Sequence, residues 1–371
     1  MIVEEIPSLR LAAVCDKSGD LARQVADELA TDVAIYDDAQ RMIDADDVEA
    51  VVVATPHSRH IVFAAPALER GLHVLVEKPV AMSVEGAAGA NEAFTRGRAK
   101  KPDLVFAAMF QQRLMPVWRR LREVVQEELG QLQRVSWTVT DWFRTSAYYA
   151  SGGWRGTWRY EGGGVLMNQA PHNLDLLLWI TGITPGRVTA VTRYGRFHDV
   201  EVEDEVAAVV ECGNGDDAGP VVTFVTSTGE APGTNRLEIV GENGSVVAED
   251  GTLRIRRLDK PVSEHNRTGP AKQRTVPFEE TVETPGATGS PTYTDQIPFR
   301  RGIFENFANA IRQREAVVAA GTDGLASVEL ANAMLLSGDQ RRPVELPLDV
   351  HEYQKWLESK VSASTRAGWD L

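Results

Sequence analysis

The chain has few cysteines, no excess of positive charge and no long apolar run. Its two cysteines, Cys15 and Cys212, exclude a disulfide framework and supply no Cys-x-x-Cys spacing for zinc. A formal net charge of −14 without a basic block argues against nucleic acid or a membrane surface as the main partner. No apolar run approaches the ~20 residues of a membrane span. No signal-peptide pattern opens the chain, so we expect a cytoplasmic protein. The lack of a zinc spacing also leads us to expect no metal site.

The first third of the 371 residues alternates short apolar runs with helical patterns. The β-branched run AVVVA at 50–54 is typical of a parallel strand that is covered on both faces. Such alternation predicts a doubly wound parallel sheet, which binds ligands beyond the carboxyl ends of its strands. Asp16, Thr55 and Lys78 all follow predicted strands and therefore become candidate site residues.

After about residue 134 the pattern changes to strand-like alternation, which continues to about residue 256. Turn signals at 213–217 and 241–244 separate such runs, so we expect a largely antiparallel sheet in this part. Residues 258–298 are rich in Pro, Thr, Gly and charge and are expected to form a long surface excursion. Helices are expected to return at about 302–312 and 324–336.

Three consecutive glycines open the segment 161–180, so the backbone there can approach a ligand closely. A helical pattern follows, in which Asn168 and His172 are four residues apart and share one face. Pro171 inside the pattern requires an irregular or kinked start. An imidazole and an amide beside a glycine-lined cleft suit proton transfer at a hydroxyl. A buried amphipathic helix with a satisfied histidine explains the same residues.

Four motifs in this order resemble the glucose-fructose oxidoreductase/inositol dehydrogenase/rhizopine-catabolism (Gfo/Idh/MocA) family. They are Ala-Thr-Pro at 54–56, Val-Glu-Lys-Pro-Val at 76–80, Gly-Gly-Gly-Val-Leu-Met-Asn-Gln-Ala-Pro-His at 162–172 and Arg-Leu-Glu-Ile-Val-Gly-Glu-Asn-Gly at 236–244. The resemblance implies a Rossmann domain over residues 1–112. It also implies an α+β domain over 113–371, with an open, mostly antiparallel sheet and C-terminal helices that pack back.

The same resemblance implies NAD(P)-dependent oxidation or reduction of sugars or cyclitols. It also implies a homodimer or homotetramer that associates through the outer face of the antiparallel sheet. NAD is the expected cofactor, with NADP as the alternative. A small-molecule sugar or cyclitol is the expected partner.

One departure from the family pattern concerns the start of the chain. A Rossmann chain begins with a strand and Gly-x-Gly-x-x-Gly, which brings pyrophosphate to a helix N-terminus. No glycine precedes Asp16, and the resemblance places Asp16 after the second strand. The first strand and the glycine loop are therefore expected to be missing, either because the start codon was assigned too late or because this is a truncated, non-enzymatic relative. A missing segment can also carry an export signal.

The predicted cofactor residues follow the strands of the first domain. A carboxylate at Asp16 accepts hydrogen bonds from the adenosine ribose and repels a 2′-phosphate, which favours NAD. The alternative for Asp16 is a helix N-cap. The resemblance places the turn with Thr55, Pro56, His57 and His60 against the nicotinamide half, whereas a capped helix start with proline is the alternative.

Glu77 and Lys78 belong to the sharpest local signal, Glu-Lys-Pro at 77–79. An unpaired lysine at the end of a buried strand is costly, and Glu77 can balance it. The resemblance implies that Lys78 reaches the reacting hydroxyl and the nicotinamide ribose, where its charge would stabilise an alkoxide. A surface lysine at a strand end is the alternative.

His172 matches the family's catalytic histidine and is predicted to be the general base in alcohol oxidation. Asn168 occupies a position where many members carry aspartate, and an amide can only orient substrate or His172 by hydrogen bonds. Arg155, Trp154 and Trp158 precede the glycines and are predicted to bind substrate, because aromatic faces stack on sugar rings and arginine donates to hydroxyls or a carboxylate. Interdomain or interface packing is the alternative for the aromatic residues.

Together these residues predict an NAD-dependent sugar or cyclitol dehydrogenase, in which Lys78 and His172 act on one hydroxyl. A second hypothesis is a glycosidase of the same family, which oxidises its sugar transiently and regenerates NAD. The third is a cofactor-free, non-enzymatic relative, because the glycine loop is missing.

Overall fold

The computed structural model describes residues 2–29, 32–213, 219–286 and 294–365. The chain divides into two compact units, of which the first comprises Met1–Leu114 and Tyr293–Val328 and the second Met115–Thr292 and Glu329–Leu371. Strands and helices alternate in the N-terminal part of the first unit, in the order β1 (Ala13–Cys15), α1 (Gly19–Asp27), β2 (Ala34–Tyr36), α2 (Ala39–Asp44), β3 (Ala50–Val53), α3 (His60–Arg70), β4 (His73–Val76), α4 (Val84–Lys100) and β5 (Phe106–Ala108).

A parallel sheet of order β3-β4-β5 forms the core of the first unit. Val53 pairs with Val76 at the carboxyl ends of β3 and β4, and Val76 pairs with Ala108 of β5. Every residue of β4 is buried, as expected for an apolar run inside an α/β layer. The parallel sheet predicted from the sequence is thereby confirmed.

Serine caps and one left-handed glycine set the ends of the helices that flank this sheet. The Ser83 side chain accepts the Gly86 N–H at the start of α4, and Ser18 accepts the Leu21 N–H at the start of α1. Gly71 ends α3 with a φ of 87°, a conformation that glycine adopts without steric cost. The chain therefore turns directly from α3 into β4.

The strands β1 and β2 pair in parallel with each other and form a separate two-stranded sheet. Within the described residues, β1 has no partner besides β2, and β3 has none besides β4. Apolar side chains are exposed in this part, including Ile35 (44%) and Val52 (43%). The parallel sheet of the first unit is thus split between β1 and β3.

The second unit begins with α5 (Pro116–Glu123) and is dominated by strands. Its next elements are β6 (Leu132–Val139), α6 (Ser146–Ala150), α7 (Val165–Asn168), α8 (Pro171–Thr181), β7 (Pro185–Tyr194), β8 (Glu203–Cys212), β9 (Val221–Ser227), β10 (Asn235–Gly241), β11 (Gly244–Glu249), β12 (Thr252–Leu258), α9 (Val262–Thr268) and β13 (Phe278–Glu283). The remaining elements of the chain are α10 (Ile297–Ile311), α11 (Gly324–Gln340), β14 (Val344–Glu345) and α12 (Val350–Ala363).

A nine-stranded sheet of order β13-β12-β11-β10-β6-β9-β8-β7-β14 forms the core of the second unit. Its pairings are antiparallel except for the parallel pair β6–β9. Side chains along β8 alternate between buried and exposed, because one face of the sheet is covered and the other is open. This sheet confirms the predicted fold class, a Rossmann-type parallel sheet followed by a mostly antiparallel one.

The segment 258–298 is more regular than expected. Its described residues are mostly exposed, as expected of a surface excursion, but they include α9 and the edge strand β13, which pairs with β12 in a regular antiparallel register. The apolar residues Phe278 and Val282 of β13 are more than half exposed, so the strand lacks the buried alternation that identifies a strand in a sequence. The backbone ladder with β12 holds it, and Glu280 also binds both Arg254 and Arg256 of β12.

The helix α12 was also missed by the sequence analysis. Asp349 caps it, and its buried residues Tyr353, Trp356 and Leu357 lie at helical spacing. The signal was therefore present in the sequence. Among the described helices, none combines the length and the apolar character that crossing a membrane requires.

Candidate active site

Two predicted site residues meet at the carboxyl edge of the sheet in the first unit. Val53 and Val76 are the last paired residues of β3 and β4, and Thr55 and Lys78 each follow two residues later. The Glu77 N–H donates to the Val53 carbonyl at 2.9 Å, so the pairing continues past the strand ends. The fold therefore brings these two residues to one edge.

His60 bridges the two loops that carry these residues. Its Nδ1 lies 2.7 Å from the Pro79 carbonyl oxygen and its Nε2 lies 2.8 Å from the Thr55 carbonyl oxygen. The side chain is 1% exposed, and burial lowers its pKa, although the two carbonyl contacts act in the opposite direction. Both ring nitrogens thus face backbone carbonyls, and the ring spans the loops after β3 and β4.

The turn after β3 contains polar atoms without partners. The Thr55 Oγ1 and Ser58 Oγ atoms are buried and have no hydrogen-bond partner among the described residues. Pro56 precedes a short 3₁₀ turn, His57–Arg59, in which His57 is buried with its ring centroid 5.6 Å from that of His60. Buried hydroxyls without partners are costly, and a polar ligand at this turn would relieve that cost.

Glu77 and Lys78 are both half-buried at the end of β4. The Lys78 N–H donates to Glu77 Oε2 at 3.2 Å, which places the acidic side chain beside the lysine backbone. A lysine in this position presents a positive charge at the strand end, where ligands of parallel sheets bind.

Asp16 follows β1 and makes the turn into α1. Its Oδ1 accepts the Ser18 N–H at 2.8 Å, whereas the cap of α1 is Ser18 itself. Asp16, Asp37 and Asp38 together make this end of the two-stranded sheet negative, and with burial they raise the pKa of the Cys15 thiol. Three carboxylates so close together oppose a further phosphate charge.

The residues of the first unit match the requirements of NAD in part. The unpartnered hydroxyls after β3 suit the nicotinamide ribose, and the acidic end of β1 suits the adenosine ribose. No glycine loop precedes β1 in the described residues 2–12, so we assign no residue to the pyrophosphate.

In the second unit, the glycine-rich segment leads into two short helices. Asn168 ends α7 and His172 is the second residue of α8, after Pro171 at its first position. The kink predicted from Pro171 is confirmed, but Asn168 and His172 belong to separate helices rather than to one continuous face. His172 and Asn168 are 6% and 8% exposed.

A buried carboxylate holds the start of α7. Glu203 of β8 accepts the Gly164 N–H at 2.8 Å and the Leu166 N–H at 2.9 Å. A Cβ atom on Gly164 would lie 1.9 Å from the Glu203 carbonyl oxygen, so only glycine fits there. Burial raises the pKa of Glu203 to about 8, although the two N–H donors act in the opposite direction.

Asn168 is held by a second buried carboxylate and by a tyrosine. Its Nδ2 donates to Glu161 Oε1 and, at 3.3 Å, to the Tyr148 hydroxyl. The Glu161 Oε2 atom also accepts the Gly156 N–H at 2.6 Å. The amide is thus oriented by fixed acceptors.

The aromatic residues before the glycines have different surroundings. The Arg155 guanidinium lies 4.5 Å from the Trp154 ring centroid, and both side chains are half-buried. Trp158 is 4% exposed, donates from Nε1 to the Glu201 carbonyl and packs against Trp356 of α12. This placement favours the packing alternative for Trp158.

Sequence reasoning missed Glu161 and Glu203. Glu203 and the adjacent Asp204 are 1% and 0% exposed, although both are acidic and open an apolar strand. The sequence did contain a signal: Glu203 and Asp204 precede the apolar residues of β8. Acidic side chains in such a position are buried only where specific donors bind them.

Comparison with known families identifies both parts of the chain. Residues 2–99 match the family model described as "Oxidoreductase family, NAD-binding Rossmann fold", and residues 118–247 match that of the "GFO/IDH/MocA C-terminal domain". The chain belongs to the Gfo/Idh/MocA oxidoreductase family. This membership confirms the predicted resemblance and the NAD-binding type of its first domain.

Individual relatives span nearly the whole chain. An inositol 2-dehydrogenase of Rhizobium meliloti (strain 1021) is 23% identical over 343 residues, which cover 91% of this chain and 92% of the relative. The WlbA dehydrogenase from Bordetella pertussis, solved with NADH and UDP-GlcNAcA, has a TM-score of 0.71 and 22% identity and covers 94% of this chain and 95% of its own. A levoglucosan dehydrogenase, solved with NADH and levoglucosan, has a TM-score of 0.72 and 20% identity, with 92% of each chain covered.

Proposed function

We propose that the chain is an NAD-dependent oxidoreductase that acts on a hydroxyl of a sugar or cyclitol. The observation that carries this proposal is the meeting of Thr55 and Lys78 at one edge of a parallel sheet of an NAD-binding family. The sugar and cyclitol dehydrogenases among the relatives support the substrate class. NAD, when bound, accepts a hydride from the carbon that bears the hydroxyl.

In the first unit, Lys78 provides the positive charge that stabilises the developing alkoxide. Thr55, Pro56 and His57 contact the nicotinamide half of the cofactor, together with Glu77 and Lys78. Asp16 accepts hydrogen bonds from the adenosine ribose, and the neighbouring Asp37 and Asp38 favour NAD over NADP. His60 acts through the two carbonyls that it contacts, as a positioning residue.

In the second unit, His172 removes the hydroxyl proton during oxidation and returns it during reduction. Asn168 cannot accept a proton and orients the substrate by hydrogen bonds, for which Glu161 and Tyr148 fix its amide. Arg155 and Trp154 bind the sugar through donor groups and an aromatic face.

The domain roles follow from this assignment. Residues 1–112 bind the cofactor, and residues 113–371 bind the substrate and associate with further copies. The open face of the nine-stranded sheet supports association, since it exposes Val191 (52%) and Val209 (42%) on adjacent strands. Sedimentation should report a dimer or tetramer, and Val209→Glu should shift it towards the monomer; a monomeric native protein contradicts this part.

The test of the activity is turnover of neutral sugars and cyclitols by the full chain, with NAD or NADP. We expect net NADH formation with at least one substrate and its loss in His172→Asn and Lys78→Met. The exposed His351 and Lys355 of α12 provide matched controls, His351→Asn and Lys355→Met, which should retain activity.

Two other outcomes contradict the proposal. Cleavage of a glycoside without net NADH would favour an NAD-dependent glycosidase of the same family. A fluorescence titration in which the chain fails to bind NADH would favour a cofactor-free relative.

A further inference from the structure

Two arginines of the second unit converge on one tyrosine ring. The guanidinium carbons of Arg144 and Arg155 lie 5.0 Å and 4.6 Å from the centroid of the Tyr148 ring. Each arginine also lies over a tryptophan, Arg144 at 5.8 Å from the Trp142 centroid and Arg155 at 4.5 Å from the Trp154 centroid. A pair of cations thus shares a half-buried aromatic cluster.

Neither arginine forms an ion pair with a carboxylate of the described residues, in contrast to the arginines of the open sheet face, such as Arg187 with Glu211. The Arg155 Nη1 donates to the Tyr148 hydroxyl at 2.8 Å, and the Arg144 Nη1 donates to the Phe143 carbonyl at 3.0 Å. The Nε atoms of both arginines are buried and have no hydrogen-bond partner among the described residues. Each guanidinium therefore retains an edge of donors without an acceptor.

This arginine pair adjoins the candidate catalytic residues of its own unit. The Tyr148 hydroxyl contacts Asn168 Nδ2 at 3.3 Å as well as Arg155. Trp142, which lies under Arg144, donates from Nε1 at 3.3 Å to Asn173, the residue after His172. The Tyr148 side chain therefore lies between the two guanidinium groups and the Asn168 amide, which we assign to substrate orientation.

Two half-buried positive charges without a counter-ion are unexpected in a chain whose net charge is −14. A guanidinium edge that comprises Nε and Nη2 has the planar two-donor geometry that matches a carboxylate. A bound carboxylate would neutralise the pair and accept hydrogen bonds from the guanidinium groups.

We propose that the substrate is a sugar acid or a carboxylated cyclitol, whose carboxylate binds between Arg144 and Arg155. This proposal rests on the proposed function, since it names the class of hydroxyl compound that is oxidised. It also assigns a binding role to Arg144, which the sequence analysis did not single out. A carboxylate suits the site better than a phosphate ester, because the buried Glu161 carboxylate beside Asn168 disfavours a second negative charge.

The test measures binding by calorimetry to the full chain, with matched pairs of neutral and acidic sugars. The pairs are glucose and glucuronate, galactose and galacturonate, and mannose and mannuronate, together with glucuronamide as the neutral isostere and glucose 6-phosphate as the phosphate arm. We expect at least one acid to bind roughly 10- to 100-fold more tightly than its neutral partner and than glucuronamide.

The variants Arg144→Gln and Arg155→Gln should each remove most of that preference. Arg144→Gln should leave the affinity for the neutral sugar nearly unchanged, whereas Arg155→Gln should also lower it, because we assign Arg155 to binding the sugar itself. Arg155→Lys should restore it only in part, because an ammonium lacks the planar donor edge. The exposed Arg159 on the same segment provides the matched control, Arg159→Gln, which should bind like the native protein. Circular dichroism of each variant shows whether it has folded.

Equal binding of acids and neutral sugars, or no binding of any acid, overturns the proposal, as does tighter binding of glucose 6-phosphate than of glucuronate. A preference that persists in both glutamine variants also overturns it. Because the calorimetry needs no cofactor, its result is separate from the proposed function: a protein that oxidises neutral sugars but rejects acids refutes only the carboxylate, whereas one that binds acids but no NADH refutes only the dehydrogenase.

Discussion

The two halves of the candidate residues, those of the first unit and those of the second, are held in different ways. In the first unit, the functional groups follow parallel strands, and backbone contacts hold them, with His60 between the Thr55 and Pro79 carbonyls. In the second unit, Asn168 and the start of α7 are held by the carboxylates of Glu161 and Glu203. The first half depends on strand register, whereas the second depends on buried carboxyl groups.

This difference has a physical consequence. Register at a parallel edge is set by many ladder hydrogen bonds, so a single substitution leaves most of them intact. A buried carboxylate that accepts backbone donors has no substitute nearby, and its loss leaves those donors unpaired. We therefore expect the first half to respond mainly in turnover and the second also in pH-dependent stability.

The largest effect should come from removing both proposed reacting groups. Lys78→Met and His172→Asn should each lower turnover by roughly 10²- to 10⁴-fold. If both groups act on one hydroxyl, the double variant should lose little more than the more damaging single variant. Steady-state kinetics of the three variants measures this, and losses that multiply would show that the two halves act independently.

Replacing His60, which links the two loops of the first unit, should lower turnover by a smaller factor. His60→Phe keeps a ring of similar size but removes both nitrogens, so the loops that carry Thr55 and Lys78 lose their common contact. We expect turnover to fall by roughly 10- to 100-fold, because small displacements of reacting groups are costly.

The conservative variant separates positioning from folding. His60→Gln retains one N–H donor and should recover part of the turnover at unchanged KM for substrate. If Phe and Gln at this position give the same kinetics at equal thermal stability, His60 only fills space.

The buried carboxyl group of Glu203 should make the free energy of unfolding depend on pH. The pKa of Glu203 is raised to about 8 from an ordinary value near 4.5, so the folded state retains a proton that the unfolded state releases. Its contribution to the free energy of unfolding is complete below about pH 4.5 and is lost as the pH rises through about 8. Denaturation from pH 5 to 9 should show a decline of up to about 1.4 kcal/mol per pH unit. Glu203→Gln should lack this component, and an unchanged decline in that variant would contradict the prediction.

The smallest effect should come from His73, which belongs to neither half. Its contribution to stability should fall as the pH falls, opposite to that of Glu203. Burial lowers the pKa of His73 to about 4, and its Nδ1 accepts the Val105 N–H at 3.0 Å. The unfolded state therefore binds a proton first, and stability is lost as the pH falls from about 6.5 towards 4. His73→Asn keeps an acceptor but cannot titrate, so its denaturation midpoint should fall less between pH 6.5 and 4 than that of the native protein. If the denaturation midpoints of the variant and the native protein fall equally between pH 6.5 and 4, His73 is not the cause of the loss of stability in acid.

The sequence predicted the placement of Thr55 and Lys78 better than the surroundings of Asn168, because the signals for the strand ends are local. Thr55 and Lys78 follow strands of continuous apolar residues, and parallel pairing necessarily brings such ends together. Glu203 lies more than thirty residues from the backbone donors that it binds, and its partners follow only from the tertiary fold. The edge strand β13 was missed for a related reason, since it has no buried face and is held by its backbone ladder to β12.

The two thiols have a practical consequence. Cys212 is buried with a pKa raised to about 11, whereas Cys15 is only half-buried and lies beside Asp16. A maleimide dye should therefore label Cys15 preferentially, slowly at neutral pH because its thiol is also protonated. The native chain thus carries a single natural attachment point for a fluorophore, whose emission would test whether NAD binds at this end of β1, as we propose.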